Sequence, residues 1–337
     1  MGSRGVLRGW GVNVGTTHAG GIMSGGGLRV LYVLGIYHSG TTLLGNLVGQ
    51  LDGYFHVGEL RSLWRKLTEP GARCGCGEPL TACPVWRGII RSALGEPWAA
   101  LARETWQCER EAVGEFHTWL VVPPLLRRRG KAPPAGTALA RYAETLTRLY
   151  RAIAAETGAE VIVDSSKEPT DAALLLCMPG INPAFAHIVR DPRATVYSIV
   201  RHRAGAEPVG GRLRQSAYAA LSWQAGNLAA TAVRRAAGPG RSMLLRHEDF
   251  AAHPGRSVQA LTQLAGRPAG PGWSLPSRSV VLQPTHTVGG NPNRFRTGPV
   301  EISADIGWRS RMHPRDQAVV TTICAPLMAH YGYRLTK

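Results

Sequence analysis

LRVLYVLGIYHSGTTLLGNL, residues Leu28 to Leu47, is the stretch that decides the fold. Val30, Leu31, Val33 and Leu34 make a short, partly β-branched apolar run, the pattern of a strand covered on both faces. Gly35 ends it. From Gly35 to Gly40 the spacing is G-x-x-x-x-G, followed by Thr41 and Thr42 and then by Leu43, Leu44 and Leu47 at helical spacing. A strand that feeds a glycine loop opening a helix can cradle an anion: glycine lets the backbone approach closely, and the first amides of the helix have no partner of their own. Nucleotide triphosphatases place a lysine where this chain has Thr41, because that lysine reaches the β and γ phosphates. Keeping the cradle without the lysine suits a nucleotide that has no γ phosphate. The plain alternative is a strand-to-helix turn that binds nothing.

The 337 residues can bury a full core, and one large α/β domain is expected. Lys and Arg total 39 against 22 Asp and Glu, a net charge of +17. Only four of the cations are lysines, Lys66, Lys131, Lys167 and Lys337, a bias expected of a GC-rich genome. The positive charge is scattered and forms no basic run, so a polyanionic cofactor is expected and nucleic acid is not. No apolar run reaches membrane-spanning length, and residues 1 to 22 lack the apolar core of a signal peptide. A cytoplasmic protein without a transmembrane segment is expected. Residues 1 to 27 are Gly-rich and read as disordered, with Met23 as a second possible start. The domain then covers residues 28 to 337, and the oligomeric state is left open.

Further strands end in chemistry-bearing residues. Tyr54 to Val57 reads as a strand followed by Gly58-Glu59-Leu60-Arg61, which puts Glu59 on the sheet edge where ligands bind, unless it merely pairs with Arg61. Val161-Ile162-Val163-Asp164 leads into Ser165-Ser166-Lys167. In a triphosphatase Asp164 would hold magnesium. A lysine at a helix start opposes the helix dipole, so an anionic partner is expected for Lys167 over simple solvation. Ala184 to Val189 exits into Arg190-Asp191-Pro192-Arg193 and a helix carrying Ser198. An arginine at a strand end and a hydroxyl two turns along can together hold a phosphate, while Arg193 can pair with Asp191. Residues 212 to 235 read as a long helix packing through Tyr218, Leu221 and Leu228. Met243 to Phe250 gives one more strand and its exit. Near the end, His286 to Gly298 is loop-like, and in an extended loop Arg294 and Arg296 would share a face across Phe295.

Residues 65 to 155 read as a mostly helical insertion with breaks at Pro123-Pro124 and Pro133-Pro134. It holds Trp98, Trp106, Phe116 and Trp119, expected in the core or an acceptor-pocket wall. It also clusters Cys74, Cys76 and Cys83. Zinc usually takes four ligands and no fourth can be named, since Cys108 is distant and no paired C-x-x-C occurs; a disulfide is disfavoured in the cytoplasm.

Tyr37-His38-Ser39-Gly40-Thr41-Thr42-Leu43-Leu44 resembles the 5′-phosphosulfate loop of sulfotransferases that use 3′-phosphoadenosine 5′-phosphosulfate (PAPS), with His38 where the family usually has Arg or Lys. Arg190-Asp191-Pro192-Arg193-Ala194-x-x-x-Ser198 resembles the 3′-phosphate motif of the same family. The resemblance runs through nearly the whole chain from residue 29, and it implies a P-loop-like α/β fold: a central parallel sheet flanked by helices, with the helical insertion. It implies Glu59 as catalytic base, as in tyrosylprotein-type members, and Lys167 at the transferring sulfonate. His38 would assist at the transition state as a neutral imidazole with one hydrogen bond to give. Tyr37 to Leu43, Arg190 and Ser198 would hold the cofactor, with at least one of Arg294 and Arg296 closing over its 3′ phosphate. Glu248 is organisational, and the Cys-x-Cys-Gly…Cys-Pro segment, found in bacterial members, is a structural element. The implied reaction moves a sulfonate from PAPS to an acceptor hydroxyl and requires no metal. By analogy the acceptor is a small-molecule natural product, lipid or carbohydrate. The competing readings are a P-loop small-molecule kinase and a non-catalytic anion or nucleic-acid binder.

Overall fold

The computed structural model describes residues 27–114, 118–202, 211–270, 273–275 and 278–336. The expected disorder over residues 1 to 27, save Gly27, and the expected packing of Phe116 lie outside the described residues. The apolar runs form a five-stranded, all-parallel sheet of β1 (Leu28–Leu34), β2 (Tyr54–Gly58), β3 (Val161–Lys167), β4 (Ile181–Val189) and β5 (Ser242–Arg246), in the order β2-β3-β1-β4-β5. β1 is central: Leu31 pairs with Val163 on one side and Ala184 on the other. Its side chains from Val30 to Leu34 are at most 1 % exposed, as a doubly covered strand requires. A smaller antiparallel pair, β6 (Ser279–Leu282) and β7 (Gly298–Glu301), lies beyond.

Helices cover both faces of the sheet. On one, the insertion supplies α2 (Leu63–Thr68), α3 (Pro84–Leu94), α4 (Trp98–Val113), α5 (Thr118–Arg127) and α6 (Ala138–Thr157), and α7 (Pro169–Leu175) joins the same core around Trp64, Trp86, Tyr142, Tyr150 and Phe185. The other face packs on α1 (Thr41–Val48), α10 (His247–Ala252) and α11 (Pro254–Leu264). A third cluster joins α8 (Pro192–His202), α9 (Gly211–Ala237), α12 (Trp308–Arg311) and α13 (Pro314–His330) through Trp223, Trp308 and Tyr331. Among the described residues, no helix is long and apolar enough to cross a membrane.

Three sequence expectations, on α9, Trp119 and the Arg294 loop, are corrected. Helix α9 forms, but Tyr218, Leu221 and Leu228 are 61 %, 57 % and 46 % exposed; the packing face is the Ala219, Ala220, Trp223, Ala230, Val233 side, whose small residues let neighbouring helices approach closely. Trp119 is exposed and builds no wall. Lys167 is the last residue of β3, directly before the N-cap Glu168 of α7, and is buried against the anionic Glu59, not solvated. The extended loop expected at Arg294 to Arg296 is a 3₁₀ turn over Pro292–Phe295, capped by the Asn291 side chain, so the two arginines do not share a face. Arg294 is buried, while Arg296 is exposed.

Candidate active site

Because the sheet is all parallel, every strand exit lies on one edge, and β1 is where the chain turns to opposite sides, the place where open α/β sheets bind ligands. Along that edge stand Glu59 after β2, Lys167 at the end of β3, the loop 35–40 after β1, Arg190 after β4 and His247 after β5. They border a cavity of about 900 Å³, also lined by Tyr37, Gly40, Thr41, Thr42, Leu43, Ser198, Arg294 and Arg296. The expected cofactor residues therefore converge, with one exception. The Ser39 hydroxyl turns back to donate to the Ile36 carbonyl at 2.6 Å, closing the loop.

The loop is held in a form that presents amides. Gly40 caps α1 in the left-handed region at φ 87°, and a Cβ there would lie 2.5 Å from His247 Nδ1, so only glycine fits. The first residues of α1, Thr41, Thr42 and Leu43, whose amides have no partner within the helix, line the cavity. His38 also has positive φ, 67°. Its carbonyl accepts from Arg190 Nη1 at 2.8 Å, and its Nδ1 lies 3.1 Å from Ser198 Oγ. A single residue thus bridges the loop and the β4–α8 exit. Burial, and then the positive charge that His202, Arg190 and Lys167 can carry, pushes the His38 imidazole down to about 4, so it is neutral near pH 7.

Lys167 reaches the edge through a defect in the sheet. The register of β3 shifts against both neighbours near Asp164, and Lys167 takes φ 73°. Its ammonium contacts Glu59 Oε1 and stands 5.2 Å over the Tyr37 ring. Glu59 is held by its backbone: its amide donates to the Val288 carbonyl at 2.8 Å, and its own carbonyl accepts from the Ser62 amide and hydroxyl. Arg61, the alternative partner of Glu59, pairs instead with Asp171 at 2.9 Å and Glu109 at 2.8 Å. A second cavity of about 460 Å³, lined by Trp106, Glu109, Arg110, Ser166 and Glu168, shares Tyr37, Glu59, Ser62 and Arg65 with the first. Glu59 stands between the two.

Asp164 is not a magnesium ligand in waiting. It is buried, and it accepts from Tyr150 Oη at 2.6 Å and from the Ser166 amide and hydroxyl at 2.8 and 2.6 Å. Arg193 makes a two-pronged pair with Asp191, at 3.0 and 2.7 Å, and stacks on Trp308, a structural role. Glu248 accepts from the Asp191 amide and Tyr333, which fits its organisational reading. Arg294 directs two N–H groups at the carbonyls of Thr287 and Arg73, 2.7 and 2.8 Å away, leaving Arg296 the freer of the two on the cavity wall.

Sequence reading missed His247, Asn46, Arg201 and His202 on the cavity wall. Arg201 lies one helical turn beyond Ser198, a spacing that could have found it. Nothing local marks His247, whose place follows from β5 lying beside β4.

The buried histidines set an acid limit. Burial pushes His56 down to about 3 and His187 and His247 to about 4, alongside His38. In the unfolded chain each returns to about 6.5 and takes up a proton first, so stability present above that pH is lost as pH falls toward 4. Asp164 runs the other way: pushed up to about 6 from 3.8, its contribution is present below 3.8 and lost as pH rises through 6. Four histidines outweigh one aspartate. The urea midpoint should fall steeply from pH 6.5 to pH 4, and a flat profile would contradict these assignments.

Residues 31–271 match the model of the Sulfotransferase family. The sulfotransferase domain from the Synechococcus PCC 7002 olefin synthase is 17 % identical, with a TM-score of 0.51 over 92 % of this chain and 96 % of that one. The sulfotransferase domain from the curacin biosynthetic pathway is 15 % identical, with a TM-score of 0.49 over 91 % and 98 %. A comparison with curated proteins returned no match. The likeness to the olefin synthase domain accords with the P-loop-like fold.

Proposed function

Because the chain belongs to the sulfotransferase family, we propose that it moves the sulfonate of PAPS to a hydroxyl of an acceptor bound in the 460 Å³ cavity. The observation that carries this is that Glu59 lines both cavities and contacts Lys167, which lines the larger one. A base must face the acceptor, and a cation must face the group being transferred. The residues present fit PAPS: a glycine-lined cradle with no room for a Cβ at Gly40, and Lys167, Arg190, Arg201 and Arg296 around one cavity. When bound, PAPS supplies an activated sulfonate with adenosine 3′,5′-bisphosphate as leaving group.

Glu59 takes the acceptor proton on Oε1 or Oε2. Lys167 swings from Glu59 toward the sulfonate oxygens, and the loop amides with Thr41 and Thr42 hold the 5′ phosphate, so that positioning and electrostatics supply most of the acceleration. Arg190 and Ser198 hold the 3′ phosphate and thereby discriminate against ATP. Arg190 has five N–H donors and spends two on the carbonyls of His38 and Asp305, which leaves an edge for an anion. The kinase reading is weakened by the hydrogen bonds that occupy Asp164. The test is incubation with PAPS and a panel of phenols, alcohols and sugars, following bisphosphate release. Acceptor-dependent release supports the proposal; magnesium-dependent phosphoryl transfer from ATP in its place would overturn it.

His38 gives a separate expectation. Arginine in its place restores a fixed cation beside the 5′ phosphate, so H38R should keep or improve transfer and tighten bisphosphate binding more at low salt than at high salt. A folded but inactive H38R enzyme would mean that the imidazole acts through its bond with Ser198.

A further inference from the structure

Cys74 and Cys76 lie in the loop before α3, Cys83 is the N-cap of α3, and His286 belongs to the loop after β6, more than 200 residues further along the chain. Folding brings one ligand atom of each within 4.8 Å of the others. Cys76 Sγ and Cys83 Sγ are 3.8 Å apart, Cys83 Sγ and His286 Nδ1 3.3 Å, and Cys74 Sγ and His286 Nδ1 3.6 Å. A tetrahedron with zinc–sulfur bonds of about 2.3 Å and a zinc–nitrogen bond of about 2.0 Å has S···S edges of about 3.8 Å and S···N edges of about 3.5 Å. We propose that Cys74, Cys76, Cys83 and His286 bind one structural zinc ion.

Further features support a metal. Amide N–H groups already address the sulfurs: that of Cys76 points at Cys74, and those of Trp86 and Val85 at Cys83. Three thiolates and Zn²⁺ leave one net negative charge, and the buried guanidinium of Arg294 is bonded to the carbonyl of Arg73, next to Cys74. Soft thiolates with an imidazole select zinc over magnesium or calcium. All six cysteines are free, and the 3.8 Å Cys76–Cys83 separation is far from the about 2.05 Å of a disulfide.

The site is closed, with four protein ligands, and takes no part in sulfonate transfer. It fastens the insertion to the cavity wall. The Gly75 amide donates to the Thr287 carbonyl at 2.9 Å, and Trp86 Nε1 donates to the His286 carbonyl at 2.6 Å. Two residues on from His286, Val288 exchanges backbone hydrogen bonds with Glu59 and Val57. Zinc would thus fix the strand-like run that places Glu59 and the loop Gly289 to Arg296.

Elemental analysis of the purified full chain tests this, with Cys76→Ser and His286→Asn as variants and Cys108→Ser as the control outside the cluster. The expected result is about one zinc per chain in wild type and in C108S, with most of it lost in C76S and H286N and a lower melting temperature in both. Should those variants fail to fold, Co²⁺ is titrated into reduced, zinc-stripped wild type. Thiolate-to-cobalt charge transfer and tetrahedral visible bands at one equivalent, displaced by Zn²⁺, support the site. Iron or copper in place of zinc, a Cys76–Cys83 disulfide, or no stoichiometric metal together with no such cobalt spectrum would overturn it.

Discussion

Glu59→Gln should lower sulfonate transfer by about 10²- to 10⁴-fold, the usual contribution of a positioned general base, while bisphosphate affinity stays within a few-fold of wild type. The two effects separate because glutamine keeps the shape of glutamate but cannot accept the acceptor proton. The backbone of residue 59 is held from outside its side chain, by Val288 and Ser62, so the cavity edge stays in place. Lys167 stays beside an amide oxygen and remains available to an anion. Unchanged turnover would remove Glu59 from the mechanism. A matching loss of bisphosphate affinity would instead assign Glu59 to holding Lys167 in position.

Arg190→Ala should weaken adenosine 3′,5′-bisphosphate by about 10²-fold or more, on the basis of charge-assisted hydrogen bonds of about 1.5–3 kcal/mol each. The guanidinium is buried, so its bonds to a phosphate would form away from bulk water. The same change also frees the carbonyls of His38 and Asp305, a structural cost that would weaken every nucleotide alike. ADP, which has no 3′ phosphate, is therefore the internal control. Selective loss of bisphosphate over ADP supports recognition of the 3′ phosphate, and Arg190→Lys should fall between the two because it keeps the charge and loses the fork. Equal weakening of both ligands would reduce Arg190 to a brace for the loop.

Much of this edge was legible in the chain because each strand ends in a local pattern. The glycines of 35–40, Glu59 after β2, Lys167 after β3 and the Arg190-to-Ser198 spacing need no long-range information, and a parallel sheet then gathers them. What was illegible depends on neighbours distant in sequence. The burial of Lys167 follows from register shifts of β3 against two other strands. Helix α9 has apolar residues on more than one face, and alanines with Trp223 are chosen for the core because close helix contacts favour small side chains; periodicity alone pointed to Tyr218, Leu221 and Leu228. His286 joins three cysteines that lie more than 200 residues earlier, and no spacing rule spans that gap.

The most direct test is a calorimetric titration of the intact protein with adenosine 3′,5′-bisphosphate, and separately with ADP plus magnesium. Magnesium is controlled by omission, so that a chelator does not disturb the cysteine cluster. Tight, magnesium-independent bisphosphate binding with little response to ADP is the expected result. Preference for ADP with magnesium would contradict it, and would withdraw the 3′-phosphate role from Arg190 and Ser198.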